Sequence, residues 1–370
     1  MGSNDVPSLV NPLHSSVVER LDPVFAEIYM KYQASKLRAD QVPYELYNKD
    51  REKYTFPTAK VTGLAPCVST NQIYHVPVSS PPGTIAVQVY VPTPDAIARA
   101  GLERNGLLPA LVNFHGGGFV IGGLDSDEPL CRKICQGVGC IVVNVDYRLA
   151  PEYQHPIPVM DSWTALKYVF ESAQMLRIDP SRVGVGGLSA GACIAAALAL
   201  MARDEPSLPR LAVQLLIVPV IDARYVPTQG SCDPEKTPYK SYIDFEFAPM
   251  LPLNRLVWFY NLWLGTGEER TERARDFRAS PIVAASHANL PPAISFCAEI
   301  DPLQCEGVAY HEKLRAAGVP SKLKVYKGQG HPFNQWDGAS PTAKEFVDDC
   351  IRELTIAFSG VNSIESSIYP

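Results

Sequence analysis

Residues 182–202 read RVGVGGLSAGACIAAALALMA. The first five have the pattern of a short buried strand, and the last eleven form an Ala/Leu-rich helical run. Between them, Gly187-Leu188-Ser189-Ala190-Gly191 is a G-x-S-x-G on a strand-to-helix turn. That setting is the nucleophile elbow, where small neighbours let a strained serine project its hydroxyl above a sheet. An ordinary glycine-rich loop is the plainer alternative. Gly184-x-Gly186 also opens a dinucleotide-type G-x-G-x-x-G, but its third glycine would fall on Ser189, so that fingerprint fails.

Strand and helix patterns alternate outward from this turn, from about residue 84 to the end. Residues 84–91 (TIAVQVYV) show strand periodicity, and 110–114 and 140–145 are short β-rich runs. Helices are predicted near 127–138 and 158–172. Beyond the elbow come strands at 212–218, 293–296 and 322–326 and helices at 304–317 and 341–358. Such alternation specifies an α/β fold with a mostly parallel central sheet and helices on both faces. Two segments break the rhythm. Residues 1–55 carry an amphipathic helix pattern over 17–32 and then charged, irregular chain, and 222–275 mix prolines with aromatics from Tyr239 to Trp263. The aromatic segment reads both as a subsidiary core and as a cap over an apolar substrate pocket.

A serine hydroxyl needs a base to take its proton and an acid to orient that base. Three histidines follow Ser189. His331, in Gly328-Gln329-Gly330-His331-Pro332-Phe333, lies on a loop after a late strand and is the expected base. His287 precedes a Pro-rich turn, and His311, mid-helix beside Glu312, reads as solvated. Asp301 follows the 293–296 strand and precedes Pro302, and is the expected acid, with Glu299 as its competitor. Upstream, His115-Gly116-Gly117-Gly118-Phe119 follows an apolar strand. Adjacent glycines let backbone N–H groups approach a ligand closely, so this loop, with the Ala190 N–H, is suited to hold an oxyanion.

Taken together, HGGG at 115–118, Asp146-Tyr147-Arg148-Leu149-Ala150-Pro151-Glu152, GLSAG at 187–191, Asp301-Pro302-Leu303 and Gly330-His331 resemble the hormone-sensitive lipase family of α/β-hydrolases. His155-Pro156-Ile157-Pro158 and Ala317-Gly318-Val319-Pro320 match its connecting segments, and the resemblance spans about residues 80–350. It implies one α/β-hydrolase domain over 1–370, with a helical cap from about 1–55 and 222–275. It also implies Ser189 as nucleophile, Asp301 as acid and His331 as base, with Gly117, Gly118 and Ala190 forming the oxyanion hole. Arg148 and Glu152 are structural on this reading. The chain departs from the family at Leu188, where Asp is usual, and at Pro332, where Gly is usual. The first change removes a charge beside the nucleophile, and the second stiffens the loop that carries the base.

Composition narrows the partners. The chain is 46% hydrophobic and 19% charged, with a net charge of −6 and no basic stripe for nucleic acid or an anionic membrane. No run of about 18 apolar residues offers a membrane span. Met1-Gly2-Ser3-Asn4-Asp5 opens no signal peptide, and Ser367-Ile368-Tyr369-Pro370 is no sorting tail. Nine cysteines at irregular spacing imply reduced thiols and a cytoplasmic location. Cys131, Cys135 and Cys140 read as small buried hydrophobes rather than metal ligands. No metal or organic cofactor is required, the partner is a small-molecule ester or acyl substrate, and a homodimer is left open. The expected activity is a serine carboxylic ester hydrolase for small-to-medium apolar esters, working through an acyl-enzyme intermediate. The alternatives are a thioesterase, lactonase, cyclase or acyltransferase using the same residues, and a ligand receptor without turnover.

Overall fold

The apolar runs of the sequence assemble into one sheet of eight strands in a computed structural model that describes residues 9–360. The first eight and last ten residues, with the readings of both chain ends, lie outside that range. The strands are β1 (Thr70–Ser79), β2 (Pro82–Val91), β3 (Leu108–Phe114), β4 (Ile141–Asp146), β5 (Ile178–Leu188), β6 (Gln214–Ile217), β7 (Ala293–Ile300) and β8 (Ser321–Gly330). Their spatial order is β1-β2-β4-β3-β5-β6-β7-β8. The strands from β4 to β8 along that order are parallel, and β2 is antiparallel to both β1 and β4.

Alternation along the central strands divides the core. Val112 and Phe114 of β3 and Val143 and Val145 of β4 join one buried cluster, whereas Leu111 and Val142 join the other. Successive side chains of a strand point to opposite faces, so the sheet is apolar on both and must be covered on both. The first face is covered by helices Ile157–Glu171, Ala190–Arg203 and Gln304–Ala316. The second is covered by Pro23–Tyr32, Glu128–Ile134 and Pro341–Ser359. The helix after the elbow buries 12 of its 14 residues, which explains its uniformly apolar composition.

The structure departs from the sequence reading at several elements, among them the unexpected helix Pro94–Ala100. Strand β1 was not expected. It is an edge strand with only Val76 and Val78 buried and with Pro77 between them, so it lacks an apolar period. The helix predicted over 17–32 begins only at Pro23, because Asp22 caps it by accepting from the Val24 and Phe25 N–H groups. The helix predicted over 127–138 runs as Glu128–Ile134, and a wider turn over Cys135–Gly139 leads into β4.

Segments 9–55 and 222–275 meet through buried charge. Asp40 accepts from Arg38 Nε and Nη2 at 3.0 Å each, and Arg255 Nε lies 3.4 Å from the same carboxylate. Arg255 belongs to helix Leu253–Leu264, so this triad ties the N-terminal segment to the aromatic one.

Candidate active site

Ser189 leaves β5 with φ 56° and ψ −112°, a strained conformation for a residue with a side chain. Its N–H donates to Ile217 O at 2.8 Å, and its carbonyl accepts from the Ala192 and Cys193 N–H groups at 3.1 Å. The flanking glycines are set by a close approach to the end of β3. A Cβ on Gly187 would lie 2.4 Å from Phe114 O, and one on Gly191 would lie 1.8 Å from it. The turn therefore admits no side chain at positions 187 and 191, two residues to either side of Ser189.

The HGGG loop starts where β3 ends. Gly117 and Gly118 have φ of 121° and 61°, and a Cβ on either would collide with Ile121 O at 1.9 Å or the Phe259 ring at 2.3 Å. The Val120 and Ile121 N–H groups close the loop onto Gly117 O at 3.1 and 2.9 Å. His115 anchors its base. The ring stacks on Tyr147 at 4.3 Å, and Nδ1 lies 2.7 Å from Gly116 O. A carbonyl only accepts, so Nδ1 carries the proton. Burial pushes the His115 pKa down to about 4, and the ring is neutral near pH 7. Among the described residues, the N–H groups of Gly117, Gly118 and Ala190 meet no acceptor.

Sheet register brings the acid and base together. Ile300 of β7 pairs with Gly330 of β8, so Asp301 and His331 leave adjacent strand ends side by side. His331 Nδ1 lies 2.8 Å from Asp301 Oδ2, and Asp301 Oδ1 accepts from the Leu303 N–H at 2.9 Å. The carboxylate fixes the proton on Nδ1 and leaves Nε2 with its lone pair. Both side chains are buried, with exposures of 7% and 1%. Ser189, Asp301, His331 and the HGGG loop all follow the C-terminal ends of parallel strands, the edge where open α/β sheets place their ligands.

The other candidates have different partners. Glu299 accepts from the Gly328 N–H at 2.8 Å and pairs with Arg20 at 3.4 Å. His287 contacts Pro281 O at 3.0 Å. His311, expected to be solvated, is instead fully buried against Ser321 Oγ at 2.8 Å, because its helix turns this face toward β8. Arg148 forms a two-pronged bond with Asp161 at 2.8 Å on each oxygen, and Glu152 accepts from Tyr44 Oη. Leu188 is buried in the second core cluster and packs against Gly116. Burial pushes the thiols of Cys131, Cys135 and Cys140 upward.

Several contacts at the site carry no motif. Phe259 lies on Gly118, and Phe25 packs against Gly330, the residue before His331. Trp336 stacks between Phe25 at 4.5 Å and Phe56 at 5.1 Å. An aromatic pattern in the sequence marks these residues as apolar without saying which backbone they touch.

A family profile described as the alpha/beta hydrolase fold matches residues 111–335. An AB hydrolase superfamily protein of Schizosaccharomyces pombe is 32% identical over 365 residues, covering 96% of this chain and 100% of its own. An ethyl acetate hydrolase of Pseudomonas putida is 32% identical over 317 residues, covering 85% of this chain and 92% of its own. Among solved structures, bacterial heroin esterase superposes with a TM-score of 0.78 at 28% identity, over 92% of this chain and 98% of that one.

Proposed function

The chain belongs to the alpha/beta hydrolase fold family, in its hormone-sensitive lipase-like branch, and from that premise we propose a carboxylic ester hydrolase in which Ser189, His331 and Asp301 work on one ester carbonyl. The observation that carries the reading is the Ile300–Gly330 pairing, which sets Asp301 against His331 on the sheet edge that also bears Ser189.

The chemistry follows from the geometry. Ser189 Oγ attacks the carbonyl carbon while His331 Nε2 takes its proton, and Asp301 stabilises the imidazolium. The carbonyl oxygen becomes an oxyanion, for which the free N–H groups of Gly117, Gly118 and Ala190 are the available donors. The N-terminus of helix Ala190–Arg203 adds a favourable dipole. As the intermediate collapses, the ester C–O bond breaks and His331 returns the proton to the leaving alcohol. Water then attacks the acyl-enzyme, giving its proton to His331, and the acid leaves as Ser189 recovers its hydrogen.

Segments 9–55 and 222–275 act on this reading as the cap, since Phe25 and Phe259 bring them onto the two loops of the site. Their aromatic side chains suit small-to-medium apolar ester groups, and the relative named ethyl acetate hydrolase suggests the same class. The nine cysteines are free thiols, which supports a cytoplasmic location. Among the described residues no helix is long and apolar enough to cross a membrane. Hydrolysis of nitrophenyl esters of increasing acyl length tests the reading. The expected kcat/KM peaks at short to medium chains. Failure to cleave any of them contradicts ester hydrolysis, and a maximum at long chains contradicts the assigned substrate size.

A further inference from the structure

The HGGG loop passes through three successive residues of positive φ, with 121° at Gly117, 61° at Gly118 and 64° at Phe119. Glycine adopts that conformation freely, but Phe119 carries a Cβ and is strained there. A strained backbone persists only where its surroundings over-determine it. For Phe119 those surroundings are one hydrogen bond and one ring. Its carbonyl accepts from the Ala150 N–H at 2.9 Å. Its fully buried side chain stacks face to face on Trp263, with ring centroids 3.6 Å apart and planes 10° from parallel.

Phe259 and Trp263 lie four residues apart on helix Leu253–Leu264, so both rings project from one face of it. The Phe259 ring fills the space that a Cβ on Gly118 would need, and Trp263 takes the next residue of the loop. Both rings are held from behind. Trp263 O accepts from the His155 N–H at 3.0 Å, and the rings of His155 and Tyr260 each meet the indole edge-on at 5.7 Å. The Arg255 guanidinium lies over the Phe259 ring at 5.4 Å, and Arg255 is tied to Asp40. The strained end of the loop thus rests on a two-ring face that is fixed at several points.

We propose that Phe259 and Trp263 are positioning residues of the ester-cleaving reaction, holding Gly118 and Phe119 in the backbone conformation that presents the Gly117 and Gly118 N–H groups to the oxyanion. The inference rests on the ester-hydrolase reading and adds that helix Leu253–Leu264 acts on the transition state. A residue that merely lines an apolar pocket acts on substrate binding, and its loss is read in KM. A brace on the oxyanion loop acts where negative charge develops, and its loss is read in kcat.

The test uses the full chain and two variants. Trp263→Leu keeps an apolar side chain but loses the flat face, whereas Trp263→Phe keeps a face for Phe119. On a short-chain nitrophenyl ester, Trp263→Leu is expected to lower kcat about 30- to 100-fold with KM changed less than about threefold, the scale of a displaced reacting group. Trp263→Phe is expected to stay within about fivefold of the wild type. A short alkyl trifluoromethyl ketone reads the oxyanion itself. Ser189 Oγ bonds its carbonyl carbon, His331 takes the serine proton, and the ketone oxygen becomes the anion. Its inhibition of Trp263→Leu is expected to weaken by the same factor as kcat/KM. A rise in KM with kcat unchanged, or ketone inhibition unchanged while turnover falls, would overturn the proposal and leave ester hydrolysis standing. A wild type that cleaves no ester would instead remove the reading beneath it. A crystal of the wild type with the ketone decides even where the variants do not fold. The Phe119–Trp263 stack is expected intact with the ketone oxygen on the Gly117 and Gly118 N–H groups, and a loop withdrawn from Trp263 would overturn the proposal.

Discussion

His331 Nδ1 and Asp301 Oδ2 lie 2.8 Å apart because the residues preceding them, Gly330 and Ile300, are partners across two parallel strands. The contact is a product of register, and in the proposed mechanism it holds the tautomer of His331. Asp301→Asn keeps the shape but offers an amide that can hold the proton on the wrong ring nitrogen. A loss of about 10³–10⁴-fold in kcat is expected, with little change in Tm. Glu299→Gln keeps an oxygen for the Gly328 N–H and is expected to alter kcat by less than about tenfold. Steady-state kinetics on one nitrophenyl ester separates the two carboxylates.

Gly118→Ala tests the HGGG loop. The new methyl would sit 2.3 Å from the Phe259 ring at a backbone φ of 61°. The loop must shift, and the Gly118 N–H shifts with it. A fall of about 10²–10³-fold in kcat is expected, the scale of losing one oxyanion donor. Binding of a substrate analogue to the variant, measured by calorimetry, is expected to weaken far less than turnover.

Asp40→Ala tests the link between segments 9–55 and 222–275. Asp40 is the shared partner of Arg38 and Arg255, and its side chain is only 2% exposed. Its removal leaves two guanidinium groups buried without their carboxylate. A loss of about 3–5 kcal/mol in unfolding free energy is expected, read by urea denaturation.

Asp127 gives a pH signature. Burial raises its pKa to about 6, against the pull of Gln335, Asn113 and the Gly116 N–H. The folded chain therefore holds this proton more tightly than the unfolded chain, whose Asp titrates near pH 4. The associated stability is complete below about pH 4 and is lost as pH rises through about 6. Asp127→Asn removes this dependence. Relative to that variant, the wild type is expected to lose about 3 kcal/mol between pH 4 and 7, measured by denaturant unfolding across that range.

The parts of the fold legible in the sequence were those whose burial leaves a pattern. The apolar strands of the central sheet, and the helix after Ser189 with its buried surface all round, each carry a period or composition that local reasoning detects. Strand β1 does not, because its outward residues are polar and Pro77 interrupts it. His311 was misread for a related reason. Glu312 beside it suggested solvent, while the helix turned the imidazole itself onto Ser321.

The site divides in the same way. Gly187, Gly191, Gly117 and Gly118 stand out because no other residue fits where backbone or ring approaches so closely. Phe25 and Phe259 gave no such signal. Their contacts are with residues distant in the chain, and no spacing rule connects residue 25 with 330 or residue 118 with 259. Leu188 stands where the family usually has Asp, and its side chain lies in the core against Gly116.

In the proposed mechanism Ser189 Oγ is the nucleophile of the covalent step. Intact-mass spectrometry of the wild type, Ser189→Ala and His331→Ala after exposure to a fluorophosphonate tests it directly. One adduct is expected on the wild type, mapped to Ser189 by peptide analysis, with none on Ser189→Ala and strongly slowed labelling of His331→Ala. An adduct on another residue, or equal labelling of Ser189→Ala, would contradict it.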